Sequence, residues 1–164
     1  MPVGQGGFHV GSLQPLSFPK DLGPLQNGDL GFRDAQILYA YDCGSEPKVN
    51  VIREIKSLAA SVLTRHLDVL VLSHFDRDHI CGTPQLLAKK TGFTVDTIIL
   101  PFVDEDERII ALARAAAATE AFKGRIDSFF VRMVFDPVAT LSELGPRRIV
   151  FVRGDDDDGR FTGV

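Results

Sequence analysis

Cysteine is scarce in this chain: two residues in 164, Cys43 and Cys81. Two are too few for a disulfide framework, so a reducing, cytoplasmic setting is expected. Each precedes a glycine at a strand or loop end and reads as a small buried thiol. Clusters of Lys and Arg are also missing. The 18 basic residues are outnumbered by 22 acidic ones, giving a net charge of −4. A general nucleic-acid-binding surface, which sets grouped cations against phosphates, is therefore not expected. No apolar run approaches the ~20 residues that span a bilayer. The N-terminus lacks the basic segment and apolar core of a secretory signal, so no membrane association is expected. The Gly-x-Ser-x-Gly elbow of serine hydrolases is absent, as is the Gly-x-x-x-x-Gly-Lys phosphate loop. No histidine follows His79.

Hydrophobic residues make up 45% of the chain and charged residues 24%. That balance and length suit a single globular domain over residues 1–164. Glycines punctuate a short strand or hairpin over 1–13, and Pro and Gly turns make 14–34 a surface loop. Ile37–Tyr41 reads as a strand ending at Asp42-Cys43-Gly44-Ser45. Pro47 marks a first helical position, and Val51, Ile55, Leu58 and Val62 recur at helical spacing to about His66. Leu67–Leu72 is apolar enough for a strand buried on both faces. Thr83-Pro84 then opens a helix to Lys90, and Val95–Leu100 is another strand. Asp104–Phe122 is a long alanine-rich helix with acids in its first turn. Asp136-Pro137 opens a short helix ending at Gly145-Pro146, and Ile149–Val152 is a last strand. Alternating strands and helices predict an α/β layered fold with function at strand carboxyl ends.

The loop Ser73-His74-Phe75-Asp76-Arg77-Asp78-His79 stands at such an end. His74, Asp76, Asp78 and His79 place four potential ligands within six residues. Imidazole and carboxylate suit zinc, manganese or iron at neutral pH. His74 and Asp76 can converge on one ion, and Asp78 and His79 on a second about 3.5–4 Å away. The plainer alternative is a solvated loop whose charges pair with one another or with Arg77.

This loop resembles the His-x-His-x-Asp-His signature of the metallo-β-lactamase fold superfamily, written here as His74-x-Asp76-x-Asp78-His79. Asp76 stands in place of the second His, as in ComEC-like relatives, and Ile80-Cys81-Gly82 resembles the Ile-x-Gly that follows. Val3-Gly4-Gln5-Gly6 resembles the opening of the ComEC-like branch, with Gly7 where an acid is usual. Tyr41-Asp42-Cys43-Gly44 resembles the superfamily's Asp-x-Gly strand end. The likeness spans roughly residues 1–100.

The resemblance implies one or two divalent metal ions, zinc first, with manganese or iron as alternatives. It implies His74 and Asp76 on the first metal, and Asp78 and His79 on the second. Asp78 would also orient the attacking water and shuttle its proton. Asp42 would hold a ligand in place from behind; equally, it could be a turn residue bonding its own backbone. The implied fold is an αββα sandwich, here its first half plus part of the second, with a C-terminal portion lacking. The implied function is hydrolysis of an ester or phosphodiester through a metal-bound hydroxide.

The pattern is incomplete beyond residue 100. Asp155, in Gly154-Asp155, could supply the bridging carboxylate, but Asp155–Asp158 reads rather as an acidic loop or tail. An impaired or truncated member that binds a metal or a partner is therefore the alternative. An open edge where a second sheet should pack would favour self-association. His66 reads as a helix-end cation complementing the dipole, and His9 as a strand or surface histidine.

Overall fold

Five strands and six helices form among the described residues, 6–13, 37–62, 64–121 and 127–153, of a computed structural model of the chain. In order they are β1 (His9–Leu13), β2 (Ile37–Tyr41), α1 (Lys48–Ser61), β3 (His66–Val71), α2 (Arg77–Ile80), α3 (Thr83–Leu86), β4 (Thr94–Pro101), α4 (Glu105–Ala121), α5 (Ser128–Phe135), α6 (Pro137–Ser142) and β5 (Arg148–Val152). The strands make one sheet in the order β1-β2-β3-β4-β5. β1 runs antiparallel to β2, and the other three pairs are parallel. Parallel neighbours require crossovers, which α1, α2–α3 and α4–α6 supply. Crossovers of one hand between strands added sequentially put their helices on one face of a sheet.

The register defines that face. Ala40 pairs with Leu70, Leu70 with Ile98, and Ile98 with Ile149. These side chains, with Leu38, Leu72, Leu100 and Phe151, join the core formed with Val51, Ile55 and Leu58 of α1. Phe129, Phe130, Met133 and Leu141 of α5 and α6 complete it. Each large side chain buried here stabilises the fold by about 1.5–3 kcal/mol.

Several expectations need correction. His66 does not end a helix: α1 stops at Ser61, Val62 is extended, and His66 opens β3 with its Nδ1 3.0 Å from Thr94 Oγ1. Strand pairing with β4 overrides the helical periodicity there. The helix from Thr83 is one turn long instead of reaching Lys90, and Gly82 rather than Thr83 stands at its N-cap, the buried Thr83 hydroxyl making no hydrogen bond among the described residues. The polar loop after Ser73 contains the turn α2. β3 is buried on both faces only at its start: Leu67 is fully buried, whereas Val69 and Val71 farther along the same face remain half-buried. α5 was not anticipated; Asp127 caps it by accepting from the N–H groups of Phe129 and Phe130. No helix among the described residues is long and apolar enough to cross a membrane.

Candidate metal centre

Strand β2 hands over to Asp42, whose backbone φ is +57°. Asp is among the few residues with a side chain that enter this left-handed region at modest cost. The turn buries the carboxylate, leaving the residue 3% exposed. Parallel pairing of β2 with β3 brings the two strand ends side by side, and Asp42 N–H donates to the Val71 carbonyl at 2.7 Å. Asp42 Oδ1 accepts from the Ser73 N–H at 2.7 Å and lies 2.8 Å from Ser73 Oγ. Asp42 Oδ2 is 2.8 Å from both Ser73 Oγ and His79 Nδ1.

These contacts assign the tautomers. An ionised carboxylate only accepts, so His79 Nδ1 and the Ser73 hydroxyl donate to it. Ser73 Oγ, 2.7 Å from His74 Nδ1, is then left to accept from that ring. Each imidazole thus has its Nδ1 occupied and its Nε2 lone pair available, the arrangement a metal-binding histidine needs. His74 Nε2 lies 3.5 Å from Asp76 Oδ2, and His79 Nε2 lies 3.7 Å from Asp78 Oδ2. Two donors on one tetrahedral zinc, each at ~2.0–2.2 Å, stand about 3.3 Å apart. Each pair is therefore near chelating separation, and the ring centroids of His74 and His79 are 3.8 Å apart.

Ligand atoms of Asp42, His74 and His79 also fall within 4.8 Å of one another. Asp42 is the less suited of the three to bind an ion directly, because its oxygens already serve Ser73 and His79. It orients the imidazoles. Its alternative reading, a turn residue bonding its own backbone, is not what its side chain does.

Two glycines let the segments close on one another. A Cβ on Gly44 would fall 2.3 Å from the Asp78 carbonyl oxygen, and one on Gly7 would fall 2.8 Å from Asp42 Oδ2. Cys43 N–H donates to the His79 carbonyl at 2.8 Å, and Gly82 N–H to the Cys43 carbonyl at 2.7 Å. Gly7, the strand end at Asp42–Gly44 and the loop carrying His79 therefore meet, although Val3, Gly4 and Gln5 lie outside the described residues, as does Asp155.

Cys43 and Cys81 are both buried and free. Burial pushes both thiols up, Cys43 strongly, with Cys81 and Asp42 adding to the effect at Cys43. For Cys81, a hydrogen bond with the Ser45 backbone and the charge of Lys48 oppose burial without cancelling it. They are protonated at neutral pH, unsuited to serve as nucleophiles or ligands.

Sequence reasoning missed the hydroxyl of Ser73, which links Asp42 to His74; its place at a strand end beside a histidine was the available signal. It also missed a groove of about 210 Å³ lined by Glu46, Asp76, Arg77, Asp78, Ala111, Arg114 and Ala115. Arg77 pairs with Glu46, tying α2 to the segment before α1. Arg114, on α4, makes no ion pair or hydrogen bond among the described residues. His9 sits on β1 beside Tyr39, and His66 is at the far end of β3 from Ser73. Comparison with protein-family models, with curated proteins and with solved structures finds no match for this chain.

Proposed function

We propose that the chain is a metal-dependent hydrolase of the metallo-β-lactamase type, acting on an ester or phosphodiester. The observation that carries this reading is the relay from Asp42 to His79 and, through Ser73, to His74, which leaves both Nε2 lone pairs beside carboxylates. On this reading the helix-backed sheet is one half of an αββα sandwich.

His74 with Asp76, and Asp78 with His79, would hold the divalent ions, zinc first by the donor set, with manganese or iron as alternatives. Bound there, the metal supplies Lewis acidity and a water acidic enough to react at neutral pH. Asp78, beside His79 and about one-fifth exposed, takes the proton of the attacking water. Asp42 fixes the imidazole tautomers and orientation. The Arg77–Glu46 pair anchors the turn that carries Asp78. Arg114 on the groove wall favours an anionic substrate, since a guanidinium pairs well with phosphoryl oxygens.

The test measures hydrolysis of bis(p-nitrophenyl) phosphate and p-nitrophenyl acetate by zinc- or manganese-loaded protein. Asp78→Ala and His79→Ala should lower the rate by roughly 10²–10⁴-fold. Equal rates for all three proteins on both substrates would sink the proposal.

A second reading has one observation in its favour: the four candidate ligands all come from the loop 74–79. On that reading the chain binds a metal without turning over substrate. Zinc would then raise the melting temperature, as any ligand of the native state must, while hydrolysis stayed at background. Anomalous scattering from a fully occupied two-metal site would count against it.

A further inference from the structure

Among the described residues, no element covers most of the sheet face opposite the helices, and that face is largely apolar. Tyr39 pairs with Val69 and Val69 with Thr97; Tyr41 pairs with Val71, Val71 with Ile99 and Ile99 with Val150; Pro101 pairs with Val152, so these residues share that face. In the antiparallel pair, Leu13 stands opposite Ile37 and His9 opposite Tyr41. Apart from Leu67 and Val95 at the strand starts, none of these side chains belongs to the hydrophobic core among the described residues. Leu13 is 59% exposed, Ile37 and Tyr41 47%, Val150 40% and Val152 53%. By strand register these five lie on one surface.

We propose that this face packs against the same face of a second copy of the chain. Area is the first argument. At on the order of 100 Å² each, the five exposed side chains alone present roughly 500 Å². Half-buried Tyr39, Val69, Val71, Ile99 and Pro101 extend the patch toward the ~800 Å² that each partner contributes to a standard interface. The five exposed side chains alone already fall in the upper part of the ~300–600 Å² that the largest patch on an isolated soluble chain spans, a size that is often functional.

Charge is the second argument. Among the described residues the charged groups at this face lie toward its margins: His9 on edge strand β1, and Arg148 on edge strand β5. Arg148 is already paired with Asp96, whose carboxylate also accepts from the Thr97 hydroxyl. Such a surface meets its own copy about a two-fold axis without opposing like charges at its centre. A partner chosen by charge would have nothing to read there.

Geometry is the third argument. Sheets stack face to face at ~10 Å with interdigitated side chains. The face holds a groove of about 330 Å³ between Tyr41, Val71, Ile99 and Val152, ready to take a projecting side chain. The groove reaches Ser73, so the second copy would also wall one side of the loop that carries His74.

The experiment is sedimentation velocity on the full chain from about 1 to 200 μM, without added metal. The expected result is a species of twice the 18.0 kDa chain mass, with Val71→Lys and Val150→Glu each weakening association at least 100-fold while circular dichroism stays unchanged. If either variant fails to fold, Ile99→Cys in the otherwise natural chain gives an independent reading: air oxidation should yield a disulfide-linked dimer. A monomer at every concentration overturns the proposal and leaves the face to another occupant. So does a dimer that withstands both charges and resists cross-linking at Ile99→Cys, or assembly into aggregates of no defined size.

Discussion

Nδ1 of His79 lies 2.8 Å from the carboxylate of Asp42, a contact made across 37 residues of sequence and two adjacent strand ends. It turns a buried acid into the fixed point about which the loop from Ser73 to His79 is arranged. The same acid reaches His74 through the Ser73 hydroxyl. Asp42→Asn should therefore weaken zinc binding by roughly 10–100-fold, as losses behind a ligand commonly do. Because Asp42 is buried and satisfies Ser73, Asp42→Ala should also cost about 1–3 kcal/mol of stability. Competition with a chelating dye and urea titration read the two effects, with His66→Ala as the unaffected control.

Gly44→Ala tests how tightly the strand end and the loop are packed. The added Cβ would sit 2.3 Å from a backbone oxygen of Asp78, which cannot swing aside as a flexible side-chain tip can. A loss of about 1–3 kcal/mol is expected, with weaker zinc binding because Asp78 and His79 move. A wild-type melting curve with wild-type affinity would show that the two segments do not approach this closely.

Asp127 predicts a pH dependence. Burial alone would raise its carboxyl, but the 2.5 Å contact and charge of Lys48, with the N–H groups of Phe129 and Phe130, outweigh burial and hold it below the usual range. A carboxylate lowered in the folded state adds stability at pH above its unfolded value, ~3.9. That contribution disappears as pH falls from about 5 through the folded value. Asp127→Asn should flatten this acid limb of the stability curve. It should also loosen α5 from the start of α1. An unchanged slope between pH 5 and 3 would contradict the assignment.

Arg114→Ala separates an anionic substrate from a neutral one. If Arg114 pairs with a phosphoryl oxygen, its loss should raise KM for bis(p-nitrophenyl) phosphate roughly 10–100-fold, the worth of a charged hydrogen bond. KM for p-nitrophenyl acetate should not move, and Arg114→Lys should recover part of the loss. A parallel rise for both substrates would mean that the variant disturbs the loop instead.

The cysteines should be inert. With burial raising both thiols, iodoacetamide at pH 8 should label neither Cys43 nor Cys81 in the native protein and both in urea. Rapid native labelling, read by mass spectrometry, would argue for an accessible thiolate.

The elements that were legible in the sequence are those whose signal is local. β2 over Ile37–Tyr41, the strand near Val95–Leu100 and the helix after Asp104 each carry an apolar period or a capping acid of their own. α5 carries Phe129, Phe130, Met133 and Val134 behind the Asp127 cap, a signal that was present and not read. The ends were less legible. His66 obeys helical spacing yet joins β3, because its partner Thr94 is 28 residues away in the chain.

By itself the sequence placed four candidate donors together, His74, Asp76, Asp78 and His79, just past an apolar strand, because residue type and strand ends are properties of neighbouring residues. It also named Asp42, on resemblance, without deciding between two roles. Only the tertiary structure decided that Asp42 faces Ser73 and His79 rather than its own backbone, since that follows from the parallel pairing of β2 with β3. Tertiary structure likewise brought Arg114 of α4 to the wall of the loop and, among the described residues, left most of one sheet face without cover. Both depend on how strands and helices stack, and sequence periodicity is blind to which side a crossover takes.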